Sequence, residues 1–264
     1  MYPARNGVRG GRLIHYHGGP ITPVAAAAQF YATRHACVSF AHPGQVSLIA
    51  EVCQSFILDN GAFSAWRSDR EFDFVGFCEF VREWGSHPGC DFVLIPDVID
   101  GGFDENRKML ARWLNAGMCN RPWQGVPIWH YDEPLVALRD YANAYPRVAL
   151  GSAGDYAEIG TERWWARTHE AMDMVCDSNR RPKCKLHGLR MLSPTVFSHL
   201  PLASADSTNV AINMGLDTRW TGAYQPVSDY CRAVVLADRI ERHAVAVRWN
   251  RPAYGTQANL ELIG

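Results

Sequence analysis

Apolar positions along the chain alternate between two rhythms. Short runs recur at Arg12–His17, Ala36–Phe40, Ser55–Asp59, Asp91–Asp97, Gly125–Tyr131, Arg147–Gly151, Lys185–Met191 and Leu202–Asp206. Runs of this length, most of them rich in Val, Ile, Leu, Phe or Trp on both faces, predict buried parallel strands. Between them the spacing turns helical. Phe74, Phe77, Cys78, Val81 and Trp84 form one stripe, the mark of an amphipathic helix. Thr22–Pro23 opens an earlier helix, and Asp104 is placed to cap one that carries Leu110, Trp113 and Leu114 and stops near Gly117. Further stripes run through Leu135, Leu138 and Tyr141, and through Trp165, Thr168, Met172 and Val175. Ser193–Pro194 starts a short helix, and the last one spans Val227 to Val247.

Eight strands alternating with eight helices is the count of an α/β protein of the (β/α)8, or TIM-barrel, type. A doubly wound open sheet is the competing fold. It usually carries a Gly-rich phosphate turn after its first strand, and the H-G-G-P following Tyr16 is not G-x-G-x-x-G. No internal repeat or linker divides the chain, so residues 1–264 are expected to form a single catalytic domain.

Composition narrows the classes. With 47% apolar and 20% charged residues the chain can bury a large core and is not a disordered polyampholyte. A net charge of −1 excludes a globally basic coat for nucleic acid. No apolar run approaches the roughly 18 residues of a membrane span, and the basic start has no apolar segment behind it, so no signal peptide is expected. The eight cysteines are scattered through apolar stretches, which predicts buried free thiols and a cytoplasmic location.

In such a barrel, chemistry collects at the C-terminal strand ends. Those positions hold His15, His17, His42, Asp59, Asp97, Asp100, His130, Asp132, Ser152, His187 and Asp206. Asp59 and Asp206 close apolar runs. A carboxylate there loses water and must be paired or functional.

Several segments then resemble one family in order. Ile57–Ser64, I-L-D-N-G-A-F-S, is similar to the D-S-G-G-F-Q segment on the third strand of the queuine/tRNA-guanine transglycosylases. Leu94–Asp97 falls where that family has its base-binding Asp, and Ala149–Gly154 resembles its L-A-x-G segment. His187–Pro194 resembles its M-G-V-G-T-P, and Ser204–Thr208 stands in the place of its nucleophile segment. The family's zinc site is not matched: beyond Asp206 only Cys231 and His243 remain, against four ligands for structural zinc. The fifth-strand Gln is replaced by Trp129–Tyr131. This shortened pattern looks most like the DNA-directed 7-deazaguanine transglycosylases of phages and bacterial DNA-modification clusters.

The resemblance implies exchange of guanine in DNA, rather than tRNA, for a 7-deazaguanine such as preQ0. If the chain is phage-encoded, that would occur in the host cytoplasm. It implies Asp206 as nucleophile and Asp59 as general acid/base, with no metal or other cofactor. Such an exchange needs two carboxylates facing one pocket, as in retaining glycosidases. Asp97 would hold the base edge, with Asn60, Gly61, Phe63, His130, Gly151, Ser152 and His187 around it. Free guanine and free 7-deazaguanine are the implied small-molecule partners, and no membrane is implied.

A base in a duplex must be flipped out, and Phe63, Trp66, Phe103 and Tyr131 are placed to stack on it. Arg180, Arg181, Lys183, Lys185 and Arg190, with Arg5, Arg9 and Arg12, are the candidate phosphate contacts. Three alternatives stay open: a tRNA-directed transglycosylase, a barrel that binds a purine without chemistry, and a metal-dependent hydrolase of the amidohydrolase kind. In the last, His15, His17, His130 and Asp206 would hold the metal, since imidazoles at i, i+2 can face one ion.

Overall fold

A computed structural model describes residues 13–118, 125–215, 220 and 225–252; Arg5, Arg9, Arg12 and Cys119 lie outside them. The strands are β1 (Ile14–Gly18), β2 (His35–Ser39), β3 (Ser55–Asp59), β4 (Cys90–Leu94), β5 (Gly125–Val126), β6 (Ile128–His130), β7 (Arg147–Gly151), β8 (Lys185–Gly188) and β9 (Ser204–Ser207). All pairings among them are parallel, in the order β5-β4-β3-β2-β1-β9-β8-β7-β6.

The two ends of that order are halves of one stave. Proline has no N–H to give to a ladder, and Pro127 divides the fifth stave into β5, paired with β4, and β6, paired with β7. The carbonyl of Val126 accepts from Ile95 N–H and that of Pro127 from Ala149 N–H, both at 2.9 Å. The ladder thereby passes from the fourth stave to the sixth. The result is an eight-stave TIM-like barrel.

Helices cover the outside: α1 (Val24–Tyr31), α2 (Val46–Val52), α3 (Ala62–Arg67), α4 (Phe74–Trp84), α5 (Gly102–Asn115), α6 (Leu135–Ala144), α7 (Glu162–Val175), α8 (Pro194–Phe197), α9 (Asn209–Asn213) and α10 (Asp229–Glu241). The α4 stripe is as expected, with Phe74, Phe77, Cys78 and Val81 buried and Asp73 capping from Gly76 N–H at 2.9 Å. Other boundaries move. Gly101, not Asp104, is the cap of α5, and Asp104 lies in its first turn, where a carboxylate suits the helix dipole. Trp164, fully buried, leads the stripe of α7 in place of the half-buried Trp165. Ser228 caps α10, which ends at Glu241 and leaves Val227 and Val247 exposed.

The core has three parts. Tyr16, Cys37, Ile57, Phe92, Leu94, Val126, Ile128 and Ala149 fill the barrel interior. One outer crescent joins the first four staves to α1, α2, α4 and α10. The other joins the later staves to α6, α7 and α8. The seven described cysteines are free; Cys37, Cys78 and Cys90 are buried, and Cys231 is exposed.

Candidate active site

At the C-terminal end of β3 the chain reads Asp59-Asn60-Gly61. Gly61 adopts φ +76°, and a Cβ there would come within 2.8 Å of the Ala41 nitrogen. Only glycine accepts both demands. The turn starts α3 and sends the Gly61 N–H back to Asp59 Oδ2 at 3.2 Å. Burial raises the Asp59 carboxyl and the nearby Asp97 charge adds to it, while the Ser39 hydroxyl and Gly61 N–H act the other way.

Asp97 lies just beyond β4 and is gripped on both oxygens. Asn60 Nδ2 donates to Oδ1 at 2.9 Å, and His130 Nε2 stands 2.8 Å from Oδ2. The rest of the Asn60 amide is used as well, donating to Ile95 O at 3.0 Å and accepting from Ala62 N–H at 2.8 Å. The other His130 nitrogen packs against Gly151, where a Cβ would come within 3.0 Å of Nδ1. Burial lowers His130, but the Asp97 bond and charge more than reverse it, so its pKa is raised.

Asp206 projects from β9, where it is in register with Tyr16. Its Oδ1 accepts from Arg190 N–H at 2.9 Å, and Cys37 Sγ lies 4.0 Å from Oδ2. Burial pushes it up to about 7; Arg190 lowers it and the Asp59 charge raises it. Cys37 is raised well above the thiol range by its own burial and then by both Asp206 and Asp59. This buried thiol on β2 therefore lies within the field of carboxylates from the third and eighth staves.

His187 lies fully buried inside the barrel, its ring edge-on to Tyr16 and Phe92. Its proton can be placed from the network. Arg147 donates to Ser204 Oγ at 2.6 Å, so the Ser204 hydroxyl hydrogen is free to go to His187 Nδ1 at 2.9 Å. Nδ1 is then the acceptor, and the proton sits on Nε2, which lies 3.6 Å from Asp206 Oδ1. Burial holds this ring neutral, with a pKa of about 3.

Across the mouth, Arg190 adopts φ +57°, donates to Ser152 O at 2.8 Å and lies 4.8 Å over the Phe63 ring. One side chain thus ties the end of the seventh stave to those of the third and sixth. Glu133, just after the fifth stave, is 1% exposed and has one oxygen without a partner. Burial brings it to about 7 despite His130 and the Asn106 amide at 2.8 Å. The Asp132-Glu133-Pro134 stretch reads as a helix entry, and no local pattern in it marks this burial. Nor did it mark Cys37, which reads as one apolar position among several.

Many residues expected to touch a ligand hold other residues instead. Asn60 spends its amide on Asp97, Ile95 and Ala62, and His130 gives Nε2 to Asp97 while its Nδ1 has no partner; Gly61 spends its N–H on Asp59. Gly151 O is taken by Tyr131 N–H at 3.0 Å, Ser152 O by Arg190, and Ser152 Oγ by Trp164 Nε1 at 2.9 Å. Among the rings, Tyr131 is core, stacked on Trp164 at 5.2 Å, and Phe103 packs under Arg107. Phe63 and Trp66 remain exposed, with Trp66 Nε1 on Asp100 at 3.1 Å.

The basic run divides. Arg180, Arg181 and Lys183 lie on the segment entering β8, and Lys185 starts that strand. Segments entering parallel staves all lie at the N-terminal face, so only Arg190 is at the carboxylate end. The proposed metal ligands divide too. With Tyr16 inside the barrel, its neighbours His15 and His17 face outward, His15 against Phe197 and His17 against Phe30 with Glu241 at 2.7 Å. They do not meet His130 and Asp206, and no group of three or more metal-ligating side chains is assembled among the described residues.

Comparison with models of known protein families, with curated proteins and with solved structures gave no match to this chain.

Proposed function

We propose that the protein exchanges guanine in a polynucleotide, DNA by preference, for a 7-deazaguanine base through a covalent sugar–Asp206 intermediate. The observation that carries this reading is the pair of largely buried carboxylates, Asp59 and Asp206, from the third and eighth staves: the Asp59 charge raises Asp206, and both acids act on the Cys37 thiol between them. Asp97 lies beside them, held rigidly enough to meet a base edge.

The chemistry follows from the protonation pattern. Asp206 is raised to about 7 and Asp59 moves in the same direction. In the reactive form the proton resides on Asp59: the ionised Asp206 attacks C1′ as the C1′–N9 bond breaks, and Asp59 gives its proton to the departing purine. The incoming base returns a proton to Asp59 as its nitrogen attacks C1′ and releases Asp206. The Nε2–H of His187 and the Arg190 N–H face Asp206 from below and above, and favour its charged form when the site opens. Arg190 must leave Phe63 for a base to enter, which frees the ring for stacking. Phosphate contact falls to Arg190 with the exposed Arg67 and Arg70 after β3.

The test is incubation with labelled guanine or preQ0 and either DNA or tRNA. Label is expected in DNA, with a denaturant-stable DNA adduct that Asp206→Asn abolishes. Label entering tRNA alone would reassign the polymer. Label entering neither would overturn the reading.

A further inference from the structure

A second feature lies at the opposite, N-terminal end of the barrel. A cavity of about 740 Å³ opens there, lined by Arg34, Arg147, Lys185, His15, His243 and Glu241 together with apolar neighbours. Its volume is in the range of small-molecule sites. Arg147 and Lys185 are direct partners on adjacent parallel strands, β7 and β8, so their side chains leave the sheet on the same face. Like charges placed opposite one another are destabilising, and here no acid separates them. Arg147 makes a single side-chain hydrogen bond, to Ser204, and lies 4.4 Å over the Phe92 ring. Its burial lowers its pKa, and the nearby Tyr16 and Asp91 offset only part of that.

Of the nearby carboxylates, Glu241 is ion-paired elsewhere, and Asp91 acts on Arg147 by its charge while hydroxyls take its hydrogen bonds. Glu241 Oε1 takes His17 at 2.7 Å and Arg34 at 3.1 Å. Asp91 Oδ2 takes the Tyr16 hydroxyl at 2.5 Å and the Ser55 hydroxyl. His15 Nε2 is buried without a partner. The twelve residues before Leu13 contain three arginines and no acid, so they bring no counter-charge.

We infer that this cavity is a binding site for a small organic phosphate, its dianionic group seated between Arg147 and Lys185. A guanidinium and an ammonium converging on one point suit a phosphate. The space around them exceeds what a bare ion fills, which is why an organic phosphate is inferred. The site shares no residue with the carboxylate end and does not depend on the exchange reaction.

Titration of the full chain with inorganic phosphate and with ribose 5-phosphate, by calorimetry and ³¹P NMR at constant ionic strength, tests this. Saturable binding is expected, tighter for ribose 5-phosphate, with a dissociation constant of about 1 mM or below. Lys185→Ala, at an exposed position that leaves the fold alone, should weaken it about tenfold or more, and Arg147→Gln should abolish it. Asp206→Asn should leave it unchanged. Absence of saturation by either probe, or equal affinity in Lys185→Ala, overturns the proposal. Equal affinity for the two probes would reduce it to a simple anion site and overturn the organic ligand.

Discussion

The two ends of this barrel both withdraw ionisable groups from water and reach opposite electrostatic results. At the C-terminal end Asp206 and Glu133 are carried to about 7 and Asp59 is raised. At the N-terminal end burial also raises Glu241, yet His17 and Arg34 overwhelm it and bring it down to about 2. Depth alone therefore does not set protonation; the sign of the nearest partner does. One end gathers acids that share protons, and the other gathers cations without enough acids. Between them the Arg147–Ser204–His187–Asp206 chain runs through the barrel interior.

The largest expected effect comes from Asp206→Asn. It should reduce base exchange by about 10³-fold or more while leaving phosphate affinity at the other end intact; loss of both would erase the distinction between the ends. The same variant reports on stability. Asp206 moves from the usual 3.8 up to about 7 on folding, so the folded state holds the extra proton and stability falls as pH rises from about 4 through 7. At about 1.4 kcal/mol per unit, a shift of this size costs on the order of 4 kcal/mol above that window. Asp206→Asn should flatten much of this slope in urea denaturation, while Glu133 keeps its own share.

Next in size is Glu241→Gln at the cationic end. Glu241 is depressed, so its contribution is present above its usual 4.5 and is lost as pH falls through about 2. Removing its charge should cost roughly 2 kcal/mol at neutral pH, less than for a fully buried pair because the side chain is partly exposed. Base exchange should be unaffected; a large loss of exchange would show that the ends are coupled.

Gly151→Ala is smaller and more local. The new Cβ would stand 3.0 Å from His130 Nδ1, pushing the ring that orients Asp97. A cost of about 1–2 kcal/mol is expected, with KM for the free base raised more than kcat is lowered. The smallest effect belongs to Arg190→Gly. It relieves a positive φ and gains up to about 1 kcal/mol from the backbone, offset by the lost bond to Ser152. Exchange should still fall, since a phosphate contact is gone.

All eight staves were legible because each is a short run apolar on both faces, a pattern that solvent-facing segments do not sustain. Asp59, Asp97 and Asp206 were legible for a related reason: acids that end such runs have lost their water. Other features were not legible. The metal reading of His15 and His17 failed because Tyr16 between them takes the interior, and period-two alternation then turns both imidazoles outward. Four of the five residues in the basic run lie at the far end because they precede their strand. Nor was it legible that Asn60 and Ser152 bond Asp97, Trp164 and Arg190, while His130 keeps Nδ1 without a partner.

The sequence by itself determined the stave count, the interior and the acids at the strand ends, since these depend on local period and on the cost of burying charge. Only the tertiary structure decided which groups meet. Closure through Pro127, the field that Asp59 and Asp206 share around Cys37, the lone Glu133 and the uncompensated Arg147–Lys185 pair arise from register between distant strands. Register is fixed by packing the whole barrel, and no segment carries it alone.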